Sequence, residues 1–294
     1  MSLEDSLKSW ARAPGTTEQQ KCENAVTAVR KAIAASEKLS KLTITIEPQG
    51  SYHNQTNFRE DSDVDVRVEC SDSFFFELPE GLTNVDCGFV VPGPVNYAIF
   101  KNDVEAALKS YFKNGHVTRG KKAFDIKENT YRIAADVLPC FEFRRYAENK
   151  IPIKGTAFDP DKGPRIQNWP EQGHANGIVK DTDTRGRYKD VVRILKRLRN
   201  KMSDEKIAAA TPIPSYLIEC LVWNAPPEAF GHDTYTADVR ETLAHLFNKT
   251  IEFEDCRGWG ETNELIYLFW NGQDWTFNQA HAFVSAAWDY LGYE

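Results

Sequence analysis

Two aspartates stand two residues apart in Asp63-Val64-Asp65-Val66-Arg67-Val68, where charged residues and valines alternate. On a strand this period puts both carboxylates on one face and the valines on the other. A pair placed in this way can share one metal ion or bridge two. Upstream lies Gly50-Ser51, separated from the pair by Tyr52-His53-Asn54-Gln55-Thr56 and the run that ends in Asp61-Ser62. Glycine permits close approach of the backbone, and the N–H groups of such a turn, with the Ser51 hydroxyl, can hold phosphate oxygens. A third carboxylate comes from Asp136, set between Ile133-Ala134-Ala135 and Val137-Leu138. A lone carboxylate in an apolar strand is costly unless it is paired or bound to metal. Any one of these aspartates alone reads as an ordinary solvated turn or strand-edge charge. Together with the Gly-Ser turn they read as a metal and phosphate site, and oxygen donors of this kind select magnesium or manganese.

The elements that must position these residues follow from hydrophobic period. Ala25, Val26, Val29, Ala32 and Ile33 predict an amphipathic helix over 17–41, and the alternation of 42–46 predicts a strand closed by a turn at 48–51. Residues 96–114 predict a second helix, and 123–127 and 131–143 predict two strands. The segment 154–187 is rich in Gly, Pro, Asp and Asn and reads as a long loop at a domain junction. Beyond it the pattern is helical over 188–202, 214–223, 236–248, 262–269 and 277–290. The expected architecture is α+β: a catalytic core on a small mixed sheet over 1–185, N-terminal helix included, packed with a C-terminal helical domain over 186–294.

Bulk properties narrow the class. A chain of 294 residues with 41% apolar and 27% charged residues is ordinary globular material. No stretch is apolar and long enough to span a bilayer, and the opening MSLEDSLKSW is not a secretion signal, so a cytoplasmic protein is expected. The six cysteines form no C-x-x-C pair and no zinc-ligand cluster, and are expected to be free, buried thiols. A net charge of −7 disfavours a protein that coats long nucleic acid.

The pattern Gly50-Ser51, spacer, Asp63-x-Asp65, later Asp136 resembles the DNA polymerase β-like nucleotidyltransferases. Within them the chain is most similar to the bacterial cGAS/DncV-like enzymes, the CD-NTases that make cyclic oligonucleotide signals in anti-phage defence. Gly186-Arg187-Tyr188-Lys189, leading into Val191 to Leu198, and Ile213-Pro214-Ser215-Tyr216-Leu217 resemble the helical-domain motifs shared with oligoadenylate synthetases and cyclic GMP-AMP synthase. The likeness spans roughly 17–290. It implies a polymerase β-like core in which Asp63, Asp65 and Asp136 hold two Mg2+ or Mn2+ ions. It further implies that Gly50 and Ser51 hold the triphosphate, that Lys196 and Ser215 touch its phosphates, and that Tyr216 stacks on a base. Residue by residue, Lys196 reads equally as part of a solvated basic helix face, and Tyr216 equally as core. Asn176 falls where the family's base-selecting residue lies, which implies a preference for pyrimidines; as sequence, Asn176-Gly177 also reads as a turn. The zinc-binding insertion of the animal enzyme has no counterpart.

The resemblance implies nucleoside triphosphates as substrates, a cyclic di- or tri-nucleotide product, and a downstream effector protein reached through that product. A monomer is expected, with no membrane and no stably bound long nucleic acid. Three alternatives stand beside it: a linear oligonucleotide synthase or RNA-tailing enzyme, an enzyme that adenylylates a protein or antibiotic, and a catalytically inactive nucleotide-binding protein.

Overall fold

A computed structural model of the chain describes residues 2–58, 63–89 and 93–294. Asp61 and Ser62 of the motif region lie outside the described residues. In chain order the elements are α1 (Leu3–Trp10), α2 (Thr16–Ala34), β1 (Ile44–Pro48), α3 (Gly50–Asn54), β2 (Asp63–Glu77), α4 (Tyr97–Phe112), β3 (Val117–Arg119), β4 (Phe124–Ile126), β5 (Ala134–Tyr146), β6 (Pro152–Phe158), β7 (Ile166–Asn168), α5 (Pro170–Asp183), α6 (Arg187–Asp204), α7 (Ser215–Asn224), α8 (Tyr235–Lys249), α9 (Phe253–Cys256) and α10 (Phe277–Leu291).

The chain forms two compact units. A sheet unit takes Gly15–Tyr52 and Ser62–Pro170, and a helical unit takes Met1–Pro14, His53–Asp61 and Glu171–Glu294. The expected division at 185/186 is a single cut, whereas these units are interleaved.

In the sheet unit the strands run β1-β2-β5-β4-β3, with β6 paired to β5 and β7 to β6. Only β2 and β5 pair in parallel; the other described pairs are antiparallel. The valine face of β2 is fully buried, Val64, Val66 and Val68 being at most 1% exposed, and Ala135, Val137, Phe124 and Ile126 continue the same layer on β5 and β4. The buried stripes of α2 (Val26, Val29, Ile33) and α4 (Phe100, Val104, Leu108) belong to the same core. Burying one face of the sheet in this way fixes its register, because a slip by one residue would turn the valines outward.

The helical unit is built on α6, whose Val191, Val192, Ile194, Leu195, Leu198 and Met202 are buried against residues of α7, α8, α10 and α1. The basic residues of α6 do not form the solvated face that their number suggests. Lys189, Arg193 and Lys196 are buried, and each is answered by oxygen atoms. Arg193 donates to Ala11 O, Gln55 O and Asp190 Oδ1, and Lys189 donates to Gln55 Oε1. Buried cations persist only when so partnered.

Four expectations are corrected. The first helix stops at Ala34, and a short 3-10 turn, Leu39–Lys41, follows it. The segment 154–187 is not a loop, since it holds most of β6, all of β7 and α5. The segment 262–269 is not a helix; its one element is an isolated bridge between Gly260 and Tyr267. Ahead of all of them α1 forms, closed by a capping box in which Ser2 and Asp5 bond each other's backbone.

Candidate active site

Register brings the carboxylates together. In the parallel β2–β5 pair Asp65 lies opposite Asp136, and in the antiparallel β4–β5 pair Asp136 lies opposite Asp125. Directly paired residues point to the same side of a sheet, so Asp65, Asp136 and Asp125 form a row across three strands. Asp63, two residues along β2 and paired with Ala134, shares their side. The Asp63, Asp65, Asp136 trio of the sequence is therefore joined by a fourth carboxylate, Asp125, that was not anticipated. Its signal was present in the alternation Phe124-Asp125-Ile126, whose apolar members are both buried.

The row is electrostatically crowded. Desolvation comes first, and with the charges of Asp63 and Asp125 and a hydrogen bond with Asp125 it pushes the Asp136 carboxyl up to about 6. Asp63 is likewise raised, by desolvation and then by the charge of Asp125. Carboxylates held against mutual repulsion are what a cation would relieve. Gly50 begins α3 in the left-handed region, with φ +63, and a Cβ there would lie 2.1 Å from Asp65 Oδ2. The backbone thus comes up against the carboxylate in a space that only glycine leaves open. Ser51 follows Gly50 on the same short helix. The donors present are hard oxygens, with no sulfur or imidazole in the row, and so fit magnesium or manganese. Among the described residues no three His, Cys, Asp or Glu side chains are already drawn around one point as a closed metal cage.

Four anticipated residues lie in the helical unit. Lys196 is 1% exposed, and its Nζ donates to Glu219 Oε2 at 2.9 Å, to Thr56 Oγ1 at 3.0 Å and to Thr56 O at 3.4 Å. Its three protons are thus all engaged. Glu219 is driven upward by its burial, but the Lys196 charge and hydrogen bonds from Thr56, Lys196 and Asn54 more than offset this and hold it below its ordinary value. Ser215 is the first residue of α7, and its Oγ accepts from Arg199 Nη2. Tyr216 keeps 37% of its surface exposed while its hydroxyl donates to Glu261 Oε2 at 3.0 Å. It is neither core nor free to swing. Asn176 lies inside α5, not in a turn, and its Nδ2 donates to Thr262 O at 2.9 Å. A cavity of about 750 Å³ in the sheet unit lies elsewhere, lined by Phe74, Phe75, Phe89, Tyr97, Lys101 and Arg165 and by none of the four aspartates.

Similarity to known proteins bears on this arrangement. The family described as the cGAS/DncV-like nucleotidyltransferase C-terminal helical domain matches residues 175–292. The chain is 42% identical to the cyclic dipyrimidine nucleotide synthase CdnE of Cecembia lonarensis, over 98% of each chain. It is 40% identical to the CdnE of the same description from Legionella pneumophila, covering 98% of this chain and 97% of that one. Among solved structures, the CdnE cyclic dinucleotide synthase of Elizabethkingia meningoseptica with GTP and Apcpp superposes with a TM-score of 0.83 at 32% identity, covering 100% of both chains. Among the described residues no helix is long and apolar enough to cross a membrane.

Proposed function

Since the chain belongs to the cGAS/DncV-like nucleotidyltransferases, we propose that it condenses two nucleoside triphosphates, at least one a pyrimidine, into a cyclic dinucleotide that signals to an effector in anti-phage defence. The observation that carries this is its full-length likeness to two cyclic dipyrimidine synthases at 42% and 40% identity. The carboxylate row supports the chemistry. In this reading Asp63, Asp65 and Asp136 hold two divalent cations, and Asp136 takes the proton of the attacking ribose hydroxyl. When bound, the cations would supply positive charge at the attacking oxygen and at the leaving pyrophosphate. Gly50 and Ser51 would hold the triphosphate, Gly50 by the close approach of its backbone and Ser51 by its hydroxyl. Ser215 would reach phosphate, Tyr216 would present its ring to a base, and Asn176 would read a base edge. Lys196 would act through the Thr56 and Glu219 it organises.

The solved relative at 32% identity carries GTP, so base choice varies among similar chains and is part of the proposal. The test incubates purified protein and magnesium or manganese with each triphosphate, labelled at the α-phosphate, alone and in pairs. The expected product is a dinucleotide whose label survives alkaline phosphatase and whose mass lacks the water of a linear dimer. A ladder of linear, phosphatase-sensitive products would overturn cyclisation, and a purine-only product would overturn the pyrimidine preference.

A further inference from the structure

Residues 260–263 belong to no helix or strand beyond the single bridge at Gly260, yet Glu261, Thr262 and Asn263 are at most 6% exposed. Buried irregular backbone must find its hydrogen bonds in side chains. Here Asn224, the last residue of α7, brackets Gly260: its Nδ2 donates to Gly260 O at 2.8 Å, and Gly260 N donates to its Oδ1 at 3.2 Å. On the other side Thr262 O accepts the Asn176 amide. Glu261 sits at the centre. Its Oε2 accepts from the Tyr216 hydroxyl at 3.0 Å and from Asn263 Nδ2 at 2.8 Å, and its Oε1 accepts from Gln273 Nε2 at 2.6 Å. Three donors converging on one carboxylate need an acceptor-only, ionised group. None of the three is a cation, so the charge is kept buried at a cost that apolar packing would avoid.

We propose that Glu261 is a positioning residue for nucleobase recognition. It fixes the ring plane of Tyr216 on α7, and through the backbone of Thr262 it fixes the amide of Asn176 on α5. The two side chains read as base-facing are thereby tied to one buried strap. Tyrosine turns about two side-chain torsions, and a hydroxyl anchored at its far end removes that freedom while leaving the ring face exposed. The edge of Trp275, with its ring centroid 6.3 Å from that of Tyr216, bounds the ring on one side. The proposal rests on the reading of Tyr216 and Asn176 as base-facing.

The test is steady-state kinetics with magnesium and each triphosphate for the wild type, Glu261→Ala, Glu261→Gln, Tyr216→Phe, Tyr216→Ala and the double variant E261A/Y216F. Loss of the anchor should raise KM about tenfold, the scale of one hydrogen bond to a charged group, and flatten the preference among bases, with kcat changing much less. Tyr216→Phe keeps the ring and loses the anchor, and it should behave alike. The double variant should be no worse than either single, because both remove one contact. Glu261→Gln, which retains one acceptor, should recover part of the loss. Additive single effects, or a lowered melting temperature with KM and base preference unchanged, would overturn the proposal and leave Glu261 as a residue of the fold alone. Tyr216→Phe differs by one hydroxyl and keeps the comparison open where Glu261→Ala fails to fold. If Tyr216→Ala raises KM and Glu261→Ala does not, only the positioning role falls; if Tyr216→Ala leaves KM unchanged, the base-facing reading itself falls.

Discussion

Asp125 and Asp136 face each other across the antiparallel β4–β5 pair, close enough for their carboxyls to share a hydrogen bond. The Asp136 carboxyl titrates near 6, above its ordinary 3.8, so the folded chain binds its proton more tightly than the unfolded chain does. The sign of the linkage follows: this group favours folding most below pH 3.8, and that contribution is lost as pH rises through about 6. In metal-free protein at pH 7.5, Asp136→Asn should therefore raise the melting temperature, by about 2–4 °C for each 1 kcal/mol relieved. Millimolar magnesium should raise the melting temperature of the wild type and not of the variant, while the variant loses turnover. A metal-free Asp136→Asn that melts below the wild type at pH 7.5 would refute the crowding.

Asp63→Ala and Asp65→Ala remove charge and little core volume. Each should cut turnover by well over tenfold, more than about 1.4 kcal/mol on the barrier, with an unaltered melting temperature. Retention of a tenth of the wild-type rate by either would remove that residue from the metal site.

Gly50→Ala should be as damaging to activity as loss of Asp65, because the new methyl would occupy the place of Asp65 Oδ2. The left-handed backbone adds a fold cost of about 1–2 kcal/mol for any residue with a Cβ. Activity and urea denaturation measured on the same preparation separate the two effects.

The Lys196–Glu219 pair is buried at both ends. Lys196→Met should destabilise the helical unit by about 3–5 kcal/mol, since it strands Glu219, and Glu219→Leu in the same chain should restore much of that. Chemical denaturation of both variants measures it. A Lys196→Met protein of unchanged stability with a raised KM would instead favour direct phosphate contact.

Asp161 carries the acid dependence. Hydrogen bonds from Arg119, then from Lys101, hold its carboxyl well below the ordinary 3.8. Its contribution is present above pH 3.8 and is lost as pH falls below that value, the reverse of Asp136. The urea midpoint of Asp161→Asn should be lower than that of the wild type at pH 7, and the two should converge by about pH 2, below the ordinary range. Parallel pH profiles would remove Asp161 from the acid response.

Much of the sheet unit was legible because its signals are local. The valine and aspartate alternation of β2 states both faces of the strand, and the apolar flanks of Asp136 mark β5. Asp125 escaped notice because a three-residue strand offers one polar position between two apolar ones, and only its register with Asp136 gives that position meaning. Helix α5 escaped for a different reason. Gly173 and Gly177 lower its helix propensity, yet Gly173 is required, since a Cβ there would lie 2.9 Å from Thr262 Oγ1. The supposed helix at 262–269 fails in the opposite sense, because Glu261, Asn263 and Asn224 offer side-chain partners that replace a helical ladder. The fate of Lys196 depended on Glu219, 23 residues away, which period alone does not reveal.

The interleaving of the units has a consequence for anyone who would cut them apart. Thr56 and Gln55 reach the helical unit on the short passage His53–Asp61, between two stretches of sheet-unit chain. Excising 171–294 as a free-standing fragment would leave Lys196 and Glu219 without the Thr56 hydroxyl, and Arg193 without both the Gln55 and Ala11 carbonyls. The helical unit is thus modular in space but not in gene architecture. Recombination that exchanges it between related chains would need to carry three separate stretches of coding sequence together, which favours descent of the chain as a whole over shuffling of its parts.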